Sequence, residues 1–487
     1  MVAAQIQRAE AARPLGLCAI VVCLTIVSAL ISDDPLQTLA CGFAAALTIG
    51  LLWRLDEPPV LLLPAGIQLI QVVTPRFYSN FLGVPIDNVS LHIGDMTAAT
   101  WLALAAMVGL VLGLWRGQLT TGSSAGVNLQ KEAQAWSPRR AFVFCIGTIL
   151  LASVFEVIGE LSAGLRQPAL AAGGIQWVGI FVLACVCTAQ RRGLHYLLIA
   201  TCLEVAKGFT GYFSDFRTVF FVLLIGLFAA RSRIRWSTVI AAALVCIILL
   251  LMGAWWSAIK REYRSFLSQG TRQQVVVVPV EDRIAFLANK LFEIDEQTIA
   301  QGFQLLVHRV GYIDYLAATM RHVPFRMPYQ DGAQLGGTIM HVLQPRLLFP
   351  DKPPLPSDSE VLEKYTGFRW GDSSGSDTSV SLGYVAELYV DFGPYGTVLG
   401  TFIMGLLIGR TYRYVSSSRS LPAVMNYGLA VMLAMTMTQF DQALIKMVGA
   451  FVTTFVMILV LRRFVLPHLL KVLGPARGRN MVAQAAE

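Results

Sequence analysis

Apolar runs of bilayer length alternate with short polar connections along most of this 487-residue chain. About 20 apolar residues cross a bilayer, within a range of roughly 17–25. Runs of that kind fall at 15–31, 36–53, 59–74, 97–115, 141–159, 174–189, 194–213, 218–230, 236–256, 394–410, 421–440 and 446–461. The pattern predicts an all-α fold, a polytopic transmembrane helical bundle of about twelve spans. The runs 59–74 and 218–230 are short. The last two are parted only by the polar turn Gln439-Phe440-Asp441-Gln442. The first run is poor in cleavage-site residues and is read as a retained span.

One stretch breaks the rhythm. From Trp256 to Asp391 the chain is polar, and ionisable groups in such number sit outside hydrocarbon. Three regions follow: a bundle of about nine spans over 1–256, a polar segment over 257–393, and about three spans with a tail over 394–487.

Charge orients the runs. Arg8, Arg13, Arg54, Arg116, Lys131, Arg139, Arg140, Arg191, Arg192, Arg231, Arg233, Arg235, Arg410, Arg413, Arg419, Arg462, Arg463, Lys471, Arg477 and Arg479 fall on one side. The opposite short connections hold only Arg76, Arg166, Arg217 and Lys446. Cationic loops stay in the cytoplasm, so both termini are expected there and the polar segment outside.

Composition narrows the class. Hydrophobic residues make up 55% of the chain and charged residues 14%, against roughly a quarter charged in soluble proteins. The outward segment carries 13 basic and 16 acidic residues, so the overall charge of +8 comes from the cytoplasmic edges. Topology and contact with anionic lipid account for it. No basic stripe with interleaved aromatics points to nucleic acid. All eight cysteines (Cys18, Cys23, Cys41, Cys145, Cys185, Cys187, Cys202 and Cys246) lie in apolar runs and read as small buried hydrophobes.

Within the outward segment, 275–278 reads as a short strand and 281–293 as a helix. A longer helix is expected over 298–321, with Ile299, Phe303, Leu306, Val310, Ile313 and Ala317 on one face. After Pro324, Gly and Pro dissolve the pattern, and 371–377 reads as a loop. No internal repeat is visible.

Three runs carry a resemblance. They are Pro345-Arg346-Leu347-Leu348-Phe349-Pro350-Asp351-Lys352-Pro353, then Ser381-Leu382-Gly383, then Glu387-Leu388-Tyr389-Val390-Asp391-Phe392-Gly393-Pro394-Tyr395-Gly396. Together they resemble the pattern of the O-antigen and exopolysaccharide repeat-unit polymerases, the Wzy type of GT-C-like membrane glycosyltransferases. Asp215-Phe216-Arg217-Thr218 is similar to an arginine-led helix start shared by those polymerases and the O-antigen ligases. The layout matches over nearly the whole chain, including one large periplasmic loop in the second half.

The resemblance implies transfer of a growing glycan from an undecaprenyl-diphosphate carrier onto a newly flipped lipid-linked repeat unit. A chain-length regulator and a flippase would then be partners, beside membrane lipids. The setting would be the periplasmic face of a bacterial inner membrane. Charge grows on the leaving diphosphate as the glycosidic bond breaks, so fixed cations there favour the transition state. Arginine suits the task through its planar, permanently charged fork. No cofactor or metal is expected, since no His/Cys/Asp cluster has ligand spacing.

Arg217, at the outer end of a span, is the first catalytic candidate; an interfacial arginine snorkelling to headgroups is the alternative. Arg309 and His308 follow, against an exposed helix face. Arg346 and Lys352 flank a rigid proline run that either binds substrate or acts as a strap. Arg264 and Arg283 are weaker substrate-binding candidates. A base must take the acceptor's proton, and Glu387 and His308 are the candidates; Glu387 could instead cap its own helix. Glu204 and Lys207 share one face of a span, as a mutual ion pair or as the polar wall of a carrier cavity. Two other classes remain open: a ligase acting on another acceptor, and a lipid-linked sugar transporter, which would favour inverted repeats.

Overall fold

The computed structural model describes the backbone outside residues 1, 55–56, 91–93, 120–128, 163, 211–215, 231–235, 270–276, 294, 347, 350, 369–379, 419 and 475–487. The side chains of 2–14, 209–210, 236–239, 241–243 and 245–246 are likewise outside the description.

The described residues form helices and no strands. The first half holds α1 (Val2–Ala29), α2 (Pro35–Leu52), α3 (Leu62–Leu82), α4 (Met96–Gln118), α5 (Leu129–Gln134), α6 (Pro138–Leu161), α7 (Arg166–Gly173), α8 (Ile175–Gln190), α9 (Leu194–Thr210), α10 (Arg217–Ala229) and α11 (Trp236–Leu267). The polar segment holds α12 (Val280–Phe292), α13 (Glu296–Val310), α14 (Asp314–His322), α15 (Ala333–Leu343) and α16 (Asp358–Thr366). Then come α17 (Tyr384–Ser416), α18 (Ala423–Ala434), α19 (Leu444–Val460) and α20 (Leu466–Leu473).

Among the described residues, six helices are long and apolar enough to cross a membrane: Pro35–Leu52, Met96–Gln118, Pro138–Leu161, Arg166–Gln190, Tyr384–Ser416 and Leu444–Leu473. Leu15–Ala29, Arg217–Ala229 and Ala423–Met437 are shorter apolar helices. The run expected as a span at 59–74 became α3, a helix studded with Gln68, Gln71, Thr74, Pro75, Arg76, Ser79 and Asn80. Its Arg76 is fully buried, donating from Nε to Gln37 Oε1 at 2.9 Å and pairing with Asp33. The pair ties the buried arginine to the turn before α2.

Apolar side chains are left exposed in stripes. Leu150, Val154, Val157 and Leu161 mark one side of α6; Leu399, Ile403 and Leu407 one side of α17; Val452, Val456 and Val460 one side of α19. Helical spacing of three and four puts each set on a single face. Such faces suit a hydrocarbon solvent, and with the six long helices they are those of a helical membrane protein.

Inside, α8 is buried nearly all round from Val178 to Thr188, beside the equally buried α18. A second seam joins α4 to α17 through small residues. A Cβ on Gly113 would lie 2.1 Å from the Phe402 carbonyl oxygen, and one on Gly405 2.3 Å from that of Leu110. Close backbone approach of this kind replaces the hydrophobic drive that lipid cannot supply.

Carboxylates from other helices hold helix starts that lack their own caps. Glu132 of α5 accepts from Ala423 N–H and Val424 N–H at 3.0 and 2.9 Å, fixing the start of α18. Asp391 of α17 does the same for α15, through Gln334 N–H and Leu335 N–H at 3.0 and 2.7 Å. Each satisfies orphan donors that the helix leaves at its N-terminus.

Two readings of the polar segment change. Val277 and Val278 form no strand, and 275–276 lie outside the described residues. The helix expected over 298–321 is two helices, broken at Gly311. Pro75 has no N–H to give to the Gln71 carbonyl four residues earlier, and Tyr312 N–H takes that acceptor at 3.2 Å. Gly311 sits against the Pro75 ring, where a Cβ would come within 2.7 Å. The loop at 371–377 lies outside the described residues.

Candidate functional site

Three helices deliver cations to one place. Arg217 is the first residue of α10, and the preceding Phe216 is buried with Trp255, Trp256, Ile259, Tyr263 and Leu267 of α11. That aromatic cluster seats the start of α10 beside the polar extension of α11. Lys260 and Arg264 lie on this extension, four apart and so on one face. The third helix, α13, is fitted by Gly302, whose Cβ would lie 2.2 Å from the Ala254 carbonyl oxygen, and by Leu306 against Gly253. Gly302 faces 254 and 258 while Leu306 faces 253, so α13 packs antiparallel to α11, and its last turn carries His308 and Arg309.

The electrostatics record the crowding. Burial first, then Arg309, Arg264 and Arg217, pushes the Lys260 ammonium down to about 7. Burial first, then Arg217 and Arg264, holds the Arg309 guanidinium below its ordinary range, with Asp441 acting in the opposite direction. Like charges gathered in a partly desolvated site disfavour one another's ionised forms. Such a cluster favours an anion of high charge, and guanidinium forks match phosphate oxygens.

Asp441 enters from the break between α18 and α19. Gln71 Nε2 donates to Asp441 Oδ1 at 3.0 Å, and Gln71 Oε1 accepts from Phe440 N–H at 2.7 Å. Gln68 Nε2 donates to the Met437 carbonyl at 2.6 Å, and Tyr384 N–H to the Gln442 carbonyl at 2.8 Å. Glu387 Oε2 accepts from Leu444 N–H at 3.2 Å and closes the far end. Gly383 lies alongside at φ +91°, where a Cβ would meet the Phe440 carbonyl at 3.2 Å. Tyr312 OH donates to the Ser381 carbonyl at 2.5 Å. Burial, then Tyr315 and Asp441, raises the Tyr312 phenol well above its ordinary range.

The sequence candidates separate into groups. Arg217, Arg264 and Arg309 come together. His308 turns to α3, edge-on to Tyr78 with ring centroids 6.1 Å apart. Arg283 stands next to this group, acting on Tyr263. Glu387 lies in the first turn of α17 and caps α19 rather than its own helix; its charged neighbours are Asp358, Asp391 and Lys446. Asp358 is itself paired with Lys446. Lys352 Nζ donates to the carbonyls of His341 and Gln344, the latter at 2.7 Å, so it closes the end of α15. Burial, then Lys352 and Arg346, holds His341 below its usual range. Lys207 pairs with Glu156 of α6 at 2.8 Å and donates to Gln176 at 3.3 Å. Glu204 is buried within α9. A void of about 150 Å³ lies between Leu170, Trp177, Met432, Met435, Thr436 and Thr454, and neither Arg217, Glu204 nor Lys207 lines it.

Lys260 and Asp441 escaped the reading from sequence. Lys260 is one turn before Arg264, a spacing that signals a shared face. Asp441 is an acid inside a polar turn between two apolar runs. Both signals are visible in the sequence but common. Among the described residues no group of three His, Cys, Asp or Glu side chains could hold a metal ion.

A family model described as "Domain of unknown function (DUF8712)" matches residues 101–418, from within α4 to just beyond α17. The match takes in all four clustered cations and stops short of Asp441. No curated protein and no solved structure matches the chain.

Proposed function

The chain belongs to this DUF8712 family, whose model spans well over half of it, and we propose that it polymerises undecaprenyl-diphosphate-linked oligosaccharide repeat units at the outer face of a bacterial inner membrane. The observation that carries the reading is the convergence of Arg217, Lys260, Arg264 and Arg309 from α10, α11 and α13. Four cations gathered from three helices suit a diphosphate. They would hold the donor and stabilise the charge that develops as it leaves. The guanidinium groups supply the stabilisation, so no divalent metal is required in this account. The resemblance of the 345–353, 381–383 and 387–396 runs to the Wzy-type pattern gives the substrate class.

The topology that goes with this function has about twelve spans, both termini cytoplasmic and the 257–393 segment periplasmic. A cysteine placed at Ser374 is then labelled by a membrane-impermeant reagent from the periplasm, and one at Ser232 is spared. The reverse pattern overturns the orientation.

A ligase would use the same donor and the same cations, and a transporter would need only to bind them. Reconstitution separates the three. Purified protein in liposomes receives synthetic undecaprenyl-diphosphate repeat units and no other acceptor. A ladder of longer lipid-linked products is expected. Products only when a second acceptor is supplied mean ligase, and translocation without covalent change means transporter.

A further inference from the structure

The geometry points to Asp441 as the group that takes the proton from the acceptor hydroxyl in this transfer. The inference deepens the polymerase reading and rests on it. An acceptor hydroxyl becomes a competent nucleophile only as its proton leaves, and a carboxylate within hydrogen-bond reach is the usual recipient. Sequence alone offers Glu387 and His308. Glu387 is engaged at Leu444 N–H, and His308 packs edge-on to Tyr78.

Asp441 meets the requirements in three ways. It lies beside the chain that follows α13, since Gln71 bonds both Asp441 and the Tyr312 amide, and its charge acts on Arg309, which itself feels Arg217 and Arg264. Its position is fixed, because the 437–444 backbone is held by Gln68, Gln71, Tyr384 and Glu387. Its orientation is fixed through one oxygen only. Gln71 Nε2 donates to Oδ1, and among the described residues Oδ2 carries no hydrogen bond. A base held by its neighbours with one oxygen left to accept is preorganised for proton transfer. The titratable and charged groups that face it are Arg309, Tyr312 and Tyr315.

The acceptor oxygen bonds to the anomeric carbon of the donor glycan. The bond from that carbon to the diphosphate oxygen breaks, and its electron pair leaves with the diphosphate among the cations. The hydroxyl proton passes to Asp441 and from there to water.

The test uses full-length protein in liposomes, with Asp441→Asn and Asp441→Ala. Asparagine keeps an oxygen for Gln71 and cannot take the proton. Transfer to the sugar acceptor is expected to fall by about 10²–10⁴-fold in both, with binding of the lipid diphosphate donor unchanged. Azide is already anionic and needs no base. In Asp441→Ala it is expected to restore release of lipid diphosphate, with formation of a glycosyl azide. Transfer by Asp441→Asn at the wild-type rate overturns the assignment. So does loss of donor binding in both variants without rescue by azide, which marks a purely structural residue. A wild-type protein that never consumes donor, with or without azide, defeats the transferase reading itself and is told apart by that inertness.

Discussion

Tyr312 donates its amide hydrogen to the carbonyl of Gln71 across a 3.2 Å contact. That carbonyl is open because Pro75, one turn on, has no N–H. The same Gln71 reaches with its side chain to Phe440 and Asp441. One residue of α3 thus joins the polar segment, through Tyr312, to the break between α18 and α19. Gln71→Leu removes both side-chain bonds and leaves the Phe440 amide without its partner. A loss of about 1–3 kcal/mol is expected, read as a lower midpoint in chemical unfolding of the detergent-solubilised protein. An unchanged midpoint means the junction does not tie the two regions together.

The seam between α4 and α17 admits no side chain at Gly113 or Gly405. Overpacking costs typically about 1–3 kcal/mol, and here the obstacles are backbone atoms of Phe402 and Leu110. Gly113→Val is expected to lower the amount of folded protein in the membrane, while Gly66→Ala, where a Cβ meets nothing within 4 Å, leaves it unchanged. Immunoblots of membrane fractions with a thermal-shift series measure both.

Lys260 makes the cluster sensitive to pH. Its pKa is lowered in the folded protein, to about 7 from 10.5. Between those values the unfolded chain binds the extra proton, so stability without ligand rises with pH across that window. A bound diphosphate favours the charged ammonium. Binding above pH 7 therefore takes up a proton, and affinity falls as pH rises, by up to about tenfold per unit. Titration with a soluble pyrophosphate-bearing analogue at pH 6.5 and pH 9 checks the slope, and Lys260→Met is expected to flatten it. An affinity that rises with pH contradicts the role.

Much of this was legible in the sequence. Apolar runs of bilayer length announced a helical membrane protein, and the polar stretch marked where ionisable groups gather. The runs that resemble the glycan-polymerase pattern have local structural roles. Glu387 and Asp391 tie helix starts, and Lys352 closes a helix end. Backbone donors and acceptors claim such groups only once distant helices meet, and spacing along the chain cannot show that. The same limit hid Lys260 and Asp441, whose significance comes from Arg217 and Arg309 arriving on other elements. The split of the 298–321 helix depended on Pro75, over two hundred residues earlier in the chain.

In the proposed transfer, clustered arginines carry the charge of the leaving lipid diphosphate. Polymer ladders from reconstituted wild type, Arg217→Lys and Arg217→Ala, with and without a divalent-metal chelator, test it most directly. Loss of one such donor typically costs about 10²–10³ in rate. The wild-type ladder is expected to survive chelation, Arg217→Ala to yield no long products at normal protein level, and Arg217→Lys to fall well short because it lacks the bidentate fork. Full-length polymer from Arg217→Ala, or a wild-type ladder that collapses without divalent metal, would contradict the account.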